Sequence, residues 1–207
     1  MSETTSTTLA RPRRSSRRER NTRETRIRVA LDLDPAAPEA AIATGVGFFD
    51  HMLESFAKHA AISLSVEAEG DLHVDAHHTV EDVGLTIGAC LLEALGDLKG
   101  VRRFGSAHIP LDEALSRVVV DLCGRPFLAW RVRFPAERVG AMPTELFEDF
   151  FRALTDRARM TVHVDNLIGT NSHHIAETIF KAFARAFFEA RERVGEAVPS
   201  TKGTLSE

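Results

Sequence analysis

His77-His78-Thr79-Val80-Glu81 and His173-His174-Ile175-Ala176-Glu177 are one pattern, HHxxE, written twice, 96 positions apart. Each copy follows an alternating apolar stretch and a polar loop. Ile62, Leu64 and Val66 stop at Gly70 before the loop Asp71–Ala76; Met160, Val162 and Val164 precede the second copy. Each copy also opens a long apolar run, read as a buried helix. Upstream the order repeats again. Phe48, Met52, Phe56 and Ala57 fall at helical spacing, as do Leu146, Phe147, Phe150, Phe151 and Leu154. Before those lie two stretches that read as strands: 25–33 with 41–44, and 116–122 with 127–134. The chain therefore reads as strand–strand–helix–strand–helix, twice. That order predicts an α+β fold of duplicated ββαβα halves, with helices packed on one face of each sheet. The repeats run from about 20 to 100 and from 101 to 195, and a half that cannot bury its own sheet face is expected to share a core with the other. A period of this length is too long for a solenoid.

The 207 residues, 43% hydrophobic and 27% charged, suit one packed domain or two small ones sharing a core. No apolar run approaches the roughly 18 residues of a membrane span, and no apolar stretch backs the basic start as a secretory signal requires. Cys90 and Cys123 are the only cysteines. They exclude a disulfide framework and lack structural-zinc spacing, so a reducing, cytoplasmic setting is expected. The net charge of −4 hides an asymmetry: residues 1–28 hold nine Arg and three Glu, and the rest is acidic. An acidic body argues against a nucleic-acid surface. Residues 1–19 are read as a disordered basic tail. A transit peptide and a nucleic-acid-binding arm are the competing readings of that segment.

Residues i and i+4 share a helix face, so His77 with Glu81, and His173 with Glu177, can grip one ion each. His78 and His174 are rotated about 100° around the helix and face elsewhere. Two copies in register suggest two metals, each with ligands from both motifs. Adding His51, in Asp50-His51-Met52-Leu53, and His163, on the strand before the second motif, gives three His and one Glu per metal. Such donors suit Mn, Fe or Zn and fall short of an all-oxygen cage; without thiolate, Mn(II) is favoured. Arg103, Arg125, Lys181 and Lys202 are candidates for an anion clamp.

By these motifs the chain resembles the imidazoleglycerol-phosphate dehydratase family. The resemblance rests on Arg23-Glu24-Thr25, Phe48-Phe49-Asp50-His51-Met52-Leu53, the stretch 75–82 around the first HHxxE, and Arg103-Phe104-Gly105. It continues through Pro110-Leu111-Asp112-Glu113-Ala114, the stretch 121–126, Asn171-Ser172-His173-His174, the stretch 181–186 and Pro199-Ser200-Thr201-Lys202-Gly203. It covers about residues 20–205. It implies loss of water from imidazole glycerol phosphate to give imidazole acetol phosphate in histidine biosynthesis. It implies two Mn(II) per active site, with His51, His77, His78, Glu81, His163, His173, His174 and Glu177 as ligands. It implies a fold like domain 2 of ribosomal protein S5. It also implies a homo-oligomer of 24 subunits with metal sites completed across subunit boundaries. Glu24 is nominated as acid/base, and Arg103, Arg125, Lys181, Ser200, Thr201 and Lys202 as the substrate-phosphate clamp. Metals on both ring nitrogens are expected to hold the ring as an imidazolate. The proton is expected to come from the carbon next to the ring, and the hydroxyl from the carbon beyond. Ser55 and Ala76 depart from residues common in the family, Gln and Asp. A two-metal hydrolase and an RNA-binding module are the competing functions.

Overall fold

The computed structural model describes residues 13–205. The first half runs β1 (Ser15–Asn21), β2 (Thr25–Asp32), β3 (Ala40–Ala43), α1 (Gly47–Ala60), β4 (Ser63–Gly70) and α2 (His77–Leu95). The second runs β5 (Phe104–Leu111), β6 (Ala114–Asp121), β7 (Phe127–Arg131), a short hairpin of β8 (Arg138–Val139) and β9 (Met142–Pro143), α3 (Leu146–Ala158), β10 (Thr161–Ile168) and α4 (Ser172–Ala190). The two main sheets have the same order, β1-β2-β4-β3 and β5-β6-β10-β7. In each, one pair is parallel (β3 with β4, β7 with β10) and the helix between them makes the crossover that parallel strands require.

Period-2 patterning sets the buried faces. Ile27, Val29 and Leu31 of β2 lie beside Leu64 and Val66 of β4, with Val29 opposite Val66. Val118 and Val120 of β6 match Val164 and Val162 of β10. The helices cover these faces and pack across the repeat boundary, α2 on α3 and α1 on α4. Phe49 meets Phe150 at 5.2 Å between ring centroids, and Phe56 stacks on Phe183 at 5.3 Å. The halves thus share one core, as the duplicated pattern implied.

Each main sheet carries one strand more than the sequence pattern suggested, and the β8–β9 hairpin of the second half was not expected either. β1 and β5 are edge strands, and their alternation is masked by charge or by small residues, SSRRERN and FGSAHIPL. β1 also corrects the expected tail. Residues 15–19 are not disordered but pair with β2, from Ser15 opposite Asp32 to Asn21 opposite Arg26. The arginines that read as a solvated run find acids: Arg14 meets Asp34, Arg18 meets Glu93, Arg20 meets Asp82 and Arg13 meets Asp32. Charged edge strands of this kind resist pairing with a foreign chain. Residues 1–12 of the expected tail lie outside the described residues.

The α2–α3 contact depends on two glycines. A Cβ at Gly84 would sit 2.8 Å from the Phe150 carbonyl oxygen, and one at Gly88 2.5 Å from that of Leu154. Alanine ordinarily gains about 1 kcal/mol over glycine within a helix. Overpacking against backbone costs about 1–3 kcal/mol and wins here. Gly88→Ala is expected to lower unfolding stability in urea titrations; an unchanged midpoint would contradict the close approach.

Candidate metal centre

Asn171 caps α4, its side chain accepting from the backbone N–H of His173 at 2.9 Å and of His174 at 3.4 Å. The cap fixes where the helix starts and thereby places His173, Glu177 and Lys181 along one face, four residues apart. Packing of α1 on α4 brings His51 to the same place. The ligand-type atoms of His51, His173 and Glu177 all lie within 4.8 Å of one another. His173 Nε2 is 3.1 Å from Glu177 Oε2, and His51 Nε2 is 4.0 Å from the same oxygen. The Phe48 ring stands edge-on to His173 at 4.9 Å, an apolar wall for the cluster. Glu177 is only 15% exposed. Burial pushes its carboxyl up, but the hydrogen bonds from Lys181, 2.8 Å away, and His173 outweigh that and hold it below the usual range. Lys181 therefore stands against the metal-type cluster.

The first motif is arranged differently. His77 and Glu81 are exposed on α2, and His77 Nδ1 lies 3.6 Å from Asp149 on α3. Among the described residues, only His51, His173 and Glu177 form a trio close enough to share an ion within one chain. The second imidazoles turn away, as the 100° rotation implied. His78 Nδ1 is 2.9 Å from Asp71 and 3.8 Å from Glu24. His174 Nδ1 is 2.7 Å from Glu113. The hydrogen bond to Asp71 raises the pKa of His78, and that to Glu113 raises the pKa of His174, against partial desolvation in each.

Glu113 is itself held at about 2 by His174 and by the backbone N–H groups of Thr170 and Asn171. A depressed carboxyl stabilises the fold fully above its unfolded pKa of about 4.3 and loses that contribution as pH falls toward the folded value. In metal-free protein, the stabilities of wild type and Glu113→Gln should therefore converge as the medium is acidified from pH about 4.5 to about 2. A constant gap across that window would contradict the assignment.

His163 lies on the face of its sheet away from the helices, opposite Val119 of β6 and Ala129 of β7, with its ring 6.0 Å from Phe127. It is not brought to either HHxxE motif within the chain. The anion-clamp residues divide too. Arg103 ion-pairs with Asp121 at 2.7 Å and donates to the Pro199 carbonyl at 2.9 Å, which ties it to the segment carrying Ser200, Thr201 and Lys202. Arg125, exposed, lies just past the end of β6 where Asp121 sits. Thr201 and Lys202 are also exposed. Lys181 is not with them.

A sequence profile described as imidazoleglycerol-phosphate dehydratase matches residues 44–187. The chain belongs to the imidazoleglycerol-phosphate dehydratase family. It is 53% identical over 200 residues to the imidazoleglycerol-phosphate dehydratase of Methylibium petroleiphilum, covering 95% of this chain and all of that one. It is 54% identical over 189 residues to that of Bordetella avium, covering 90% and 96%. The crystal structure of the Staphylococcus aureus dehydratase superposes with a TM-score of 0.79 at 42% identity, over 86% of this chain and 99% of that one. The Pyrococcus furiosus structure, a complex with (S)-C348, gives 0.79 at 34% identity, over 91% and 100%. The chain is thus an enzyme, a hydro-lyase of histidine biosynthesis.

Within this dehydratase, the two departures from family habit have definite settings. Ser55 is buried one turn after His51, and its hydroxyl has no hydrogen-bond partner. Ala76 stands at the N-cap of α2, where it cannot cap; Asp75 accepts from the His77 N–H instead, at 2.7 Å. Asp71, Glu113 and Asp149 were not singled out from the sequence for a role. They lie in loops or on another helix, and no spacing links them to the histidines they meet.

Proposed function

We propose that the enzyme dehydrates imidazole glycerol phosphate to imidazole acetol phosphate with two Mn(II) ions per active site. The observation that carries this is the trio His51, His173 and Glu177, three ligand atoms within 4.8 Å in a dehydratase of this family. The donors fit such an ion, being imidazole and carboxylate without thiolate. Burial pushes the Cys90 thiol up to about 11, so it stays protonated and outside the set. His51, His173 and Glu177 would hold one ion, and His77 with Glu81 the other. His78, His163 and His174 would complete the two sites across subunit boundaries. When bound, the ions supply electrostatic stabilisation of negative charge on the substrate ring, as an imidazolate.

Atom balance revises the order of bond changes expected from the sequence. The substrate carries hydroxyls on the carbon next to the ring and on the middle carbon. The product has CH2 next to the ring and a carbonyl in the middle. The hydroxyl that leaves is therefore the one beside the ring, and the C–H proton comes from the middle carbon. The enol that remains becomes the ketone when the carbon beside the ring gains a proton; hydroxide and proton together make the water lost. Glu24, 54% exposed in the turn between β1 and β2, is the group proposed to move these protons. Arg103, Arg125, Lys181, Ser200, Thr201 and Lys202 are proposed to hold the phosphate, guanidinium groups by their fork and lysines as point charges.

Sharing of the site between subunits is supported by the face on which His163 lies. Phe104, Val119 and Phe127 are exposed there. A 24-subunit shell in the cytoplasm is the assembly proposed, with the exposed aromatic rings buried at subunit contacts. Binding that favours the assembled state stabilises it by mass action. Chelation is expected to give smaller particles in light scattering, and added Mn(II) the large one; one unchanged size would count against shared sites. The reaction itself is tested by supplying Mn(II) to metal-free enzyme and following loss of water against release of inorganic phosphate. Water loss alone is expected; phosphate release would favour a two-metal hydrolase.

A further inference from the structure

In both HHxxE motifs the second imidazole is held through Nδ1 by a carboxylate from outside its helix. Asp71, in the loop after β4, places Oδ2 2.9 Å from His78 Nδ1. Glu113, in the turn between β5 and β6, places Oε2 2.7 Å from His174 Nδ1. The two carboxylates come from unrelated places, one seven residues from its histidine and the other 61 residues away. The same contact is thus made twice by different routes, which simple duplication of a segment would not produce.

The Glu113 carboxylate is anchored at its other oxygen, whereas Asp71 is held through its backbone and its buried Oδ1 has no hydrogen-bond partner among the described residues. Glu113 Oε1 accepts from the backbone N–H of Thr170 at 3.0 Å and of Asn171 at 2.8 Å, which leaves Oε2 for His174. The Asp71 backbone N–H donates to the Glu24 carbonyl at 3.1 Å. An ionised carboxylate only accepts, so the proton of a neutral ring must sit on Nδ1 and the lone pair on Nε2. A ligating imidazole is ordinarily set in this way, by a hydrogen bond at its other nitrogen. At His78 the geometry also decides between two acids. Asp71 is nearer to Nδ1 than Glu24, at 2.9 against 3.8 Å, so Glu24 is left free for other work.

We infer that Asp71 and Glu113 are positioning residues that lock His78 and His174 as Nδ1–H tautomers, presenting Nε2 to the metal ions. The inference rests on the metal reading above. It is tested by long-range 1H–15N spectra of metal-free protein at alkaline pH, where the rings are neutral, together with Mn(II) titration followed by electron paramagnetic resonance. Wild type should show Nδ1–H at both rings. Asp71→Ala and Glu113→Ala should each release one ring to the other tautomer and weaken Mn(II) binding by about 10–100-fold. Asp71→Asn and Glu113→Gln keep a carbonyl acceptor and should restore the tautomer; the latter also keeps an acceptor for the Thr170 and Asn171 amides if the alanine variant fails to fold. Tautomers unchanged in the alanine variants, or in Asp71→Ala alone where Glu113→Ala does not fold, would overturn the positioning role while leaving Mn(II) binding intact. Nδ1–H tautomers in a wild type that takes up no Mn(II) would instead overturn the metal reading, and with it the purpose assigned to the two carboxylates.

Discussion

Glu177→Ala is expected to abolish turnover and to remove one of the two proposed metal ions from each chain. Glu177 is the common partner of His173, His51 and Lys181, at 3.1, 4.0 and 2.8 Å. Without its carboxylate, the Lys181 ammonium would stand against two imidazoles with no negative charge between them. A cation would then have to bind where a cation already is. The loss in rate is expected to be at least about 10³-fold, the upper range for removing one preorganised electrostatic element from an active site. Glu177→Gln is a sharper form of the test, since it keeps size and a carbonyl acceptor while removing the charge. It should lose metal nearly as well. Full metal content with near-normal turnover in either variant would show that the trio is an ordinary helix-surface ion pair.

Glu24→Gln should lower the rate constant for turnover by about two to four orders of magnitude, the contribution usual for a general acid/base. Metal content and assembly should survive, because Glu24 is not among the proposed ligands and its side chain is half exposed. The backbone turn around it should survive as well. Its N–H donates to the Thr22 hydroxyl at 3.1 Å, a contact that does not involve the carboxylate. Lys202→Ala should behave differently, raising the Michaelis constant more than it lowers turnover, because it loosens binding and leaves the proton transfer alone. Nearly full turnover by Glu24→Gln would assign the proton to another group.

What could be read from the residues was what repeats or alternates. HHxxE written twice, each copy behind a strand and a loop, was enough to place two helix starts and the shared core, because periodicity encodes burial directly. β1 and β5 escaped because an edge strand buries little: Ser16 is covered, but Arg17, Arg18 and Glu19 face water. Arg18 and Arg20 of β1 meet acids on α2, Glu93 and Asp82, that only the fold brings near. The trio of His51, His173 and Glu177 was half legible, through the i, i+4 rule on α4; His51 joins through the packing of α1. The hydrogen bonds of Asp71 and Glu113 were not legible at all. They depend on where a loop and a turn arrive in space, and no local rule carries that. Arg103 shows the same limit from the other side. It was an anion-clamp candidate by type, yet its guanidinium is already paired with Asp121, so a phosphate would meet a charge partly neutralised within the chain. The division of the candidates into separate groups on one chain is the physical reason for placing the complete site between subunits.

The most direct test of the central claim, that the two HHxxE motifs together build two metal sites, is the ratio of bound Mn(II) to chain, measured by atomic emission after reconstitution and removal of excess ion. The account predicts two per chain in the wild type and a loss of one in Glu177→Ala. A wild-type ratio of one, or of none with dehydration intact, would contradict it.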